Sequence, residues 1–207
     1  MQSAAAAVEM SGQERVEAPE DQVRAHTYGL FGALLSAAPS ADLLAVLAEV
    51  NPAQGAEGDF AGAWRQLAIA AAHADSVSVA QEFQDLFIGV GRGEVVPYGS
   101  WYMTGFLMDR PLALLRADLE RLGFERQDEV KEPEDHAAAL CETMAMLLAE
   151  ECQQDVQRHF FAAHMEPWMK SFFRDLSTAK SAAFYRAVGQ FGEQFVEFES
   201  GYLAMTV

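Results

Sequence analysis

Hydrophobic residues recur every three or four positions along most of this chain, which is the spacing of the buried face of an α-helix. The clearest stretch follows a 4-3-4-3-4 spacing, at Phe184, Val188, Phe191, Phe195, Phe198 and Tyr202. Isoleucine, which favours strands, occurs only at positions 69 and 88, and no long alternating run indicates a strand. We therefore predict an all-α fold with about nine helices in a single globular domain.

Helix breakers and capping residues set the expected boundaries. A first helix from about Pro19 to Ala38 should end at Pro39, and Ser40 is suited to cap the second helix. Asp109 precedes a leucine-rich helix that Gly123 can terminate.

A polar run from Glu125 to Lys131 interrupts the helical pattern and predicts a hinge near residues 124–132. The hinge would allow the helical domain 19–207 to divide into two layers, 19–123 and 133–207. It is compatible with a monomer or with a dimer that exchanges its C-terminal layer.

The segment Lys131-Glu132-Pro133-Glu134-Asp135-His136 predicts the start of a long amphipathic helix, because proline and acidic residues favour the first helical turn. With Pro133 at the first helical position, Glu132, Asp135 and His136 would share one face at i, i+3 and i+4. His136 should then point inward or into a groove. Such a face is either a helix cap or a site, and a mononuclear metal site is an alternative.

Residues 88–100 form the longest break in the helical pattern at the middle of the chain, and loops of this length tend to be functional. Gly89, Gly91 and Gly93 could approach a phosphate. The motif lacks a following Gly-Lys-Ser/Thr and a βαβ context, so a turn is the simpler interpretation than a nucleotide loop. Tyr98, Trp101 and Tyr102 flank this loop, where aromatic rings can anchor a peptide.

Composition narrows the classes of partner. The formal net charge is −17, with 14 scattered basic residues, so a nucleic-acid partner is not expected. A carboxylate-rich surface suits cationic ligands such as arginine-rich peptides, although solubility alone would also explain it. No apolar run approaches the roughly 18–20 residues that span a bilayer. We expect a cytoplasmic protein without a membrane span, in which residues 1–18 form a flexible leader.

Catalytic and metal chemistry find little support in the sequence. No paired Glu-x-x-His motif for a di-metal site is present, and no nucleophile stands at a recognisable spacing from a base. His26 and His164 are interpreted as inward-facing core histidines, and Cys141 and Cys152 as buried thiols. We therefore expect no catalytic residues, no metal and no cofactor.

Four segments in order carry a family resemblance: Leu86-Phe87-x-Gly89, Pro97-Tyr98-x-Ser100-x-Tyr102, a leucine-rich helix ending near Gly123, and Glu132-Pro133-x-Asp135-His136. This order resembles the TorD/DmsD family of redox-enzyme maturation chaperones. Gly99 departs from the family, whose members often carry an acidic residue there.

The resemblance implies a cytoplasmic chaperone that binds the twin-arginine signal peptide and the apo form of a molybdenum-cofactor oxidoreductase before export through the Tat pathway. By transfer onto matching positions, Asp135 and His136 would belong to the signal-peptide site, with Asp135 accepting an arginine in bidentate fashion. The whole expected site comprises Pro97, Tyr98, Trp101, Tyr102, Glu132, Pro133, Asp135 and His136. A helical metal-dependent or nucleotide hydrolase is the alternative, and the sequence does not identify the client enzyme.

Overall fold

The computed structural model describes residues 19–50, 59–89, 93–125, 131–150 and 152–205. Within these ranges the chain forms ten α-helices and no strand, which confirms the all-α prediction with one helix more than expected. In chain order they are α1 (Pro19–Ser36), α2 (Ala41–Glu49), α3 (Asp59–Ala72), α4 (Ser76–Phe83), α5 (Gly99–Thr104), α6 (Arg110–Arg121), α7 (Ala137–Ala149), α8 (Gln154–His164), α9 (Met169–Thr178) and α10 (Phe184–Met205). A π-helical turn, Gln84–Ile88, continues α4.

Helix α10 supplies the centre of the core, as its aromatic spacing predicts. Phe191 packs against Phe31 of α1 and against Phe60 and Trp64 of α3, with ring centroids 5.2, 5.4 and 4.3 Å apart. Phe198 belongs to the same series of positions but lies at the edge of the core, with 40% of its surface exposed. The hydrophobic spacing therefore identifies the correct face of α10, while the core ends before the helix does.

The helices before and after the predicted hinge share this core. Helix α1 packs along α7, and α3 packs on α10. Residues 126–130 of the hinge lie outside the described ranges, as does the leader 1–18, so the hinge, the division into layers 19–123 and 133–207 and the flexible leader stay predictions. None of the helices described is long and apolar enough to cross a membrane.

A buried ion pair joins α1 to α10. Arg24 is 1% exposed and donates from Nε and Nη2 to the two carboxylate oxygens of Glu199, at 2.7 and 2.9 Å, while Glu199 itself is fully buried. Tyr28 donates its hydroxyl to Glu199, and Gln157 of α8 and Asp21 accept from Arg24. Both oxygens of the buried Glu199 carboxylate therefore have hydrogen-bond partners, as a buried charge requires.

The predicted caps are confirmed at two helices and wrong at a third. Ser40 accepts a hydrogen bond from the backbone N–H of Leu43 at α2, and Asp109 caps α6 by accepting from Arg110 N–H. Pro133, in contrast, does not begin a helix, because α7 starts only at Ala137.

The later start of α7 has a backbone cause. Residues on either side of His136 pair with the chain before α5: Gly99 N–H donates to the Asp135 carbonyl at 2.9 Å, and Ala137 N–H donates to the Pro97 carbonyl at 2.8 Å. His136 is extended as a result and forms an isolated antiparallel bridge with Tyr98. The three polar residues 132, 135 and 136 therefore do not share a helix face.

Candidate functional site

The bridge brings together two segments that are more than thirty residues apart, 97–100 and 132–136, which we call the motif corner. Both segments carry part of the sequence resemblance, and Glu132-Pro133-x-Asp135-His136 is its specific part. Six of the eight predicted site residues lie in the motif corner: Pro97, Tyr98, Glu132, Pro133, Asp135 and His136.

Asp135 is the buried carboxylate of the motif corner, with only 3% of its surface exposed. Its Oδ2 accepts the backbone N–H of Ser100 at 2.7 Å, which ties the start of α5 to the turn before α7. Its Oδ1 is buried and has no hydrogen-bond partner among the described residues. Buried carboxylate oxygens ordinarily accept a hydrogen bond, so Oδ1 is the acceptor of the motif corner that the described residues do not use.

His136 caps α7 with its side chain. Its Nδ1 accepts the backbone N–H of Ala138 at 3.2 Å, so Nδ1 is unprotonated and a neutral ring carries its proton on Nε2. Burial lowers the pKa of His136, while the nearby Glu132 and Asp135 carboxylates oppose that change. Geometry and burial thus both favour the neutral imidazole.

The rim of the motif corner is acidic and more exposed. The Tyr98 hydroxyl donates to Glu132, and the Tyr98 ring meets the His136 ring edge-on at 5.0 Å between centroids. Burial, followed by the Glu132 carboxylate, raises the pKa of Tyr98. Glu134 forms an ion pair with Arg116 of α6 at 2.8 Å.

Tyr102 lies on α5 but turns away from the motif corner toward α9. Its ring stacks on Trp168 with centroids 5.5 Å apart, and its hydroxyl donates to Asp175 at 3.0 Å. Trp101, the other predicted aromatic anchor, is partly exposed on the same short helix. The aromatic residues flanking the loop are therefore not gathered on one surface.

Gly99 has a packing reason for its departure from the family pattern. A Cβ at this position would lie 3.0 Å from Nε1 and 3.2 Å from Cε2 of the Trp168 indole, so a larger side chain would push against this ring. The indole is itself fixed, because its Nε1 donates to the His164 carbonyl at 2.7 Å.

A cavity of about 330 Å³ lies between α5, α6, α7 and α8. Its walls are mainly apolar, and two carboxylates, Asp135 and Asp118, are among the lining residues, with Arg110 as the basic residue. The remaining lining residues are Gly99, Met103, Thr104, Pro111, Leu114, Leu115, Leu140, Ala163 and His164.

The two carboxylates of the cavity differ in their partners. Asp118 Oδ2 is 2.7 Å from Nε2 of His164, and its Oδ1 pairs with Arg121. These partners outweigh burial and lower the pKa of Asp118. Both oxygens of Asp118 therefore have partners, whereas only one oxygen of Asp135 has a partner among the described residues. The sequence analysis missed Asp118, since its polar position on a leucine-rich helix reads as solvent-facing.

Five apolar residues of α5, α6 and the turn between them are 43 to 72% exposed, and we call them the apolar collar: Met103, Phe106, Leu107, Met108 and Leu114. Met103 and Leu114 of the collar also line the cavity. The backbone of Met108 has φ 56°, a conformation that costs a β-carbon-bearing residue about 1–3 kcal/mol. Ser100 Oγ accepts the Met108 N–H at 3.2 Å and helps to hold this turn.

The glycines of the middle loop have backbone explanations where they are described. Gly89 has φ 57°, and a Cβ at Gly93 would overlap the backbone of Leu86 and Phe87 in the π-helical turn. Gly91, the third glycine of the nucleotide alternative, lies outside the described residues. The turn interpretation therefore accounts for Gly89 and Gly93.

The remaining candidate histidines and cysteines differ in how far they are buried. His26 is exposed, so its predicted inward position is wrong, whereas His164 is buried as expected. Cys141 is buried and Cys152 is partly exposed, and both are free thiols. Within the described part of the chain, no group of three or more His, Cys, Asp or Glu side chains is arranged to hold a metal ion.

Comparison with known proteins places these features in a family. The family model described as "Nitrate reductase delta subunit" matches residues 53–174, more than half of the chain. The chain is 25% identical over 139 residues to a protein named Chaperone protein TorD from Vibrio vulnificus strain YJ016, covering 61% of this chain and 65% of that protein. A protein of the same name from Vibrio cholerae serotype O1 (strain M66-2) is 25% identical over 132 residues, which cover 58% and 60% of the two chains. The chain thus matches less than two thirds of either relative's length.

A solved structure shares the fold. It is described as a proposed redox enzyme maturation protein from Archaeoglobus fulgidus, and it aligns with a TM-score of 0.56 at 19% identity over 84% of this chain and 93% of that one. At this identity the likeness concerns the arrangement of helices alone.

Proposed function

The chain belongs to the nitrate reductase delta subunit family, which includes the TorD-like maturation chaperones, and on this premise we propose that it is a chaperone rather than an enzyme. In this proposal it binds the twin-arginine signal peptide of a molybdenum-cofactor oxidoreductase in the cytoplasm. It holds the peptide while the apo enzyme matures, before export through the Tat pathway.

The observation that carries the proposal is the junction between the motif corner and the apolar collar. A twin-arginine signal combines a basic segment with an apolar one. The exposed collar offers apolar surface to the second segment, and contiguous exposed apolar surface commonly marks a binding site. The exposed Glu132 carboxylate at the rim of the motif corner offers an acceptor to the first segment.

Long-range charge supports the same partner. The formal net charge of −17 attracts a basic peptide and speeds its encounter with the surface. Binding should therefore weaken as salt concentration rises, more through slower association than through faster dissociation.

A titration with two peptides tests the proposal. The full chain is titrated by calorimetry with a twin-arginine signal peptide and with the same peptide carrying Lys-Lys in place of Arg-Arg. We expect binding of the first and weaker binding of the second, because lysine lacks the planar fork of arginine. Equal and negligible binding of both would rule out signal-peptide recognition.

The body of the client enzyme is a second candidate partner, since the collar would equally accept an apolar surface of an incompletely folded protein. Pull-down with a leaderless client separates the two interpretations. Retention of the leaderless client at full yield would place the main contact on the enzyme body.

A further inference from the structure

We propose that Met103 and Met108 of the apolar collar are an oxidation site, at which a peroxide converts the two thioethers to sulfoxides and weakens the binding of an apolar partner. The inference rests on the proposed function, in which the collar contacts the apolar segment of the peptide. It deepens that function by making binding at the collar depend on the oxidation state of two side chains.

Burial separates the methionines of the collar from those of the core. Seven of the nine methionines lie in the described ranges, and Met144, Met165 and Met169 are at most 1% exposed. Met103 is 43% exposed and Met108 is 72% exposed. A dissolved oxidant reaches exposed side chains far more easily than it reaches a close-packed core. Met103 and Met108 should therefore be oxidised before the core methionines.

The two cysteines compete poorly for the same oxidant. A thiol reacts with peroxide as the thiolate, so a raised pKa slows its oxidation. Cys141 is buried, and burial raises the pKa of its thiol. Burial and the Glu150 carboxylate also raise the pKa of Cys152, which is partly exposed. Both thiols are therefore protonated near neutral pH, whereas a thioether reacts without losing a proton.

Both collar methionines stand on defined backbone. Met103 lies on α5 and also lines the cavity. Met108 lies in the turn between α5 and α6, where its φ is 56° and its N–H donates to Ser100 Oγ at 3.2 Å. A partner that covers the collar therefore contacts both side chains.

A sulfoxide makes the collar partly polar, because its oxygen is a hydrogen-bond acceptor that water solvates. The neighbouring side chains of Phe106, Leu107 and Leu114 carry no hydrogen-bond donor, and an apolar partner brings none. Covering the oxidised collar would remove water from the sulfoxides without replacing their hydrogen bonds, which opposes binding. Oxidation should therefore release an apolar partner and leave the fold intact, since both side chains lie outside the core.

The reaction is a two-electron oxygen transfer from hydrogen peroxide. The O–O bond breaks and an S–O bond forms, so each sulfur gives up two electrons and the peroxide accepts them. The second oxygen leaves as hydroxide and takes the proton of the transferred oxygen to form water. A methionine sulfoxide reductase reverses the change with electrons from thiols.

Peptide mapping by mass spectrometry tests the site itself. The full chain is treated with hydrogen peroxide and digested, and fragment spectra assign each added oxygen to a methionine. We expect oxygen on Met103 and Met108 while Met144, Met165 and Met169 remain thioethers. Oxidation of the core methionines as fast as those of the collar would overturn the proposal.

Dye binding tests the consequence of oxidation. Nile red is neutral, so the net charge of −17 does not repel it, and its fluorescence reports binding to apolar surface. We expect peroxide to raise the dissociation constant of the dye about tenfold, and sulfoxide reductase with dithiothreitol to restore it. An unchanged constant in a chain that carries both sulfoxides would overturn the proposal.

Two double variants assign the effect to the collar. Met103→Leu with Met108→Leu replaces both thioethers by apolar side chains that peroxide does not oxidise. Met146→Leu with Met205→Leu is the matched control, because these residues are 43% and 79% exposed, Met146 lines a different pocket and Met205 ends α10. Each variant is compared with itself before and after peroxide. We expect the collar variant to lose the response of dye binding to peroxide and the control to keep it, and equal responses would overturn the proposal.

The same samples distinguish this proposal from the proposed function. If peroxide weakens dye binding through the collar while the twin-arginine peptide binds neither the reduced nor the oxidised chain, the proposed function fails and the oxidation site stands. If the reduced and oxidised chains bind the peptide equally well, signal-peptide recognition stands and the oxidation proposal is overturned.

Discussion

Two buried carboxylates of this chain, Glu199 and Asp135, differ in how many of their oxygens have hydrogen-bond partners. Glu199 is fully buried, and its two oxygens accept hydrogen bonds from Arg24 and Tyr28. Asp135 is almost as buried, yet only one of its oxygens has a partner in the described structure. Glu199 joins helices in the core, whereas Asp135 borders a cavity whose mouth is lined by exposed apolar residues.

We infer from this difference that the charge of Glu199 is structural and that the charge of Asp135 is available for binding. A buried charge whose hydrogen bonds are all made within the protein has no bond left for a ligand. Its removal leaves its partner buried without a counter-ion. A buried charge with an unused bond is destabilising in the free protein and becomes favourable only with a ligand. The comparison predicts that stability depends strongly on Glu199 and weakly on Asp135, and that ligand binding depends on them in the opposite order.

The largest effect on stability should come from Glu199→Leu. The substitution leaves the Arg24 guanidinium buried without its main counter-ion, and breaking a buried pair typically costs about 3–5 kcal/mol. Urea unfolding followed by circular dichroism measures the free energy of unfolding. Glu197→Leu breaks the exposed pair with Lys170 and serves as the control, with an expected loss of about 0–1 kcal/mol. A loss below about 1 kcal/mol for Glu199→Leu would contradict the structural role.

A third buried carboxylate should give an intermediate effect. Glu82 accepts the backbone N–H groups of Ala183, Phe184 and Tyr185 and so caps the start of α10. Glu82→Gln replaces one acceptor oxygen by a donor and should cost about 1–3 kcal/mol in the same unfolding experiment. The exposed cap Asp75→Asn is the control, since asparagine caps about as well as aspartate. Equal losses of unfolding free energy in the two variants would show that burial of the capping carboxylate does not determine the size of the loss.

Much of the helical framework can be predicted from local sequence. The spacing of apolar residues identifies α10, and Ser40 and Asp109 act through contacts with residues one to three positions away. Such local chemistry is readable without knowledge of the fold. The error at Pro133 arose because long-range backbone bonds with Pro97 and Gly99 hold the chain extended up to His136, and no local signal reports them.

The candidate site was predictable only in part. The two motif segments are recognisable in the sequence, and the structure joins them. The unpaired oxygen of Asp135, the cavity and the role of Asp118 depend on how α5, α6, α7 and α8 pack together. The Arg24–Glu199 pair, whose residues are 175 positions apart in the chain, could not be predicted from the sequence for the same reason.

A smaller effect should come from the titration of His136 in the motif corner, which makes the free energy of unfolding depend on pH. Burial lowers the pKa of His136 below its ordinary value of 6.5, so the unfolded chain binds a proton at a higher pH than the folded chain. Stability is therefore lost as the pH falls below about 6.5, by at most about 1.4 kcal/mol per pH unit for one proton. Burial lowers the pKa of His164 in the same direction, so a variant is needed to isolate His136.

His136→Asn provides that variant, because asparagine can cap α7 but does not titrate. Unfolding free energies are compared between about pH 7 and about pH 5, and the wild type should lose up to about 1 kcal/mol more than the variant. Identical losses would mean that His136 titrates alike in the folded and unfolded chains. The same substitution in His26, which is exposed, controls for the removal of one histidine.

The smallest change in stability should come from Asp135→Asn, and this variant decides the comparison. The asparagine oxygen can keep the bond to Ser100 N–H, and the loss of charge assistance there is offset because a buried charge is removed. We expect the free energy of unfolding to stay within about 0.5 kcal/mol of the wild type. Asp135→Ala, which also breaks the bond to Ser100, should cost about 1–2 kcal/mol and shows that the assay detects this position. A loss above about 2 kcal/mol in Asp135→Asn would place Asp135 with Glu199 among the structural charges.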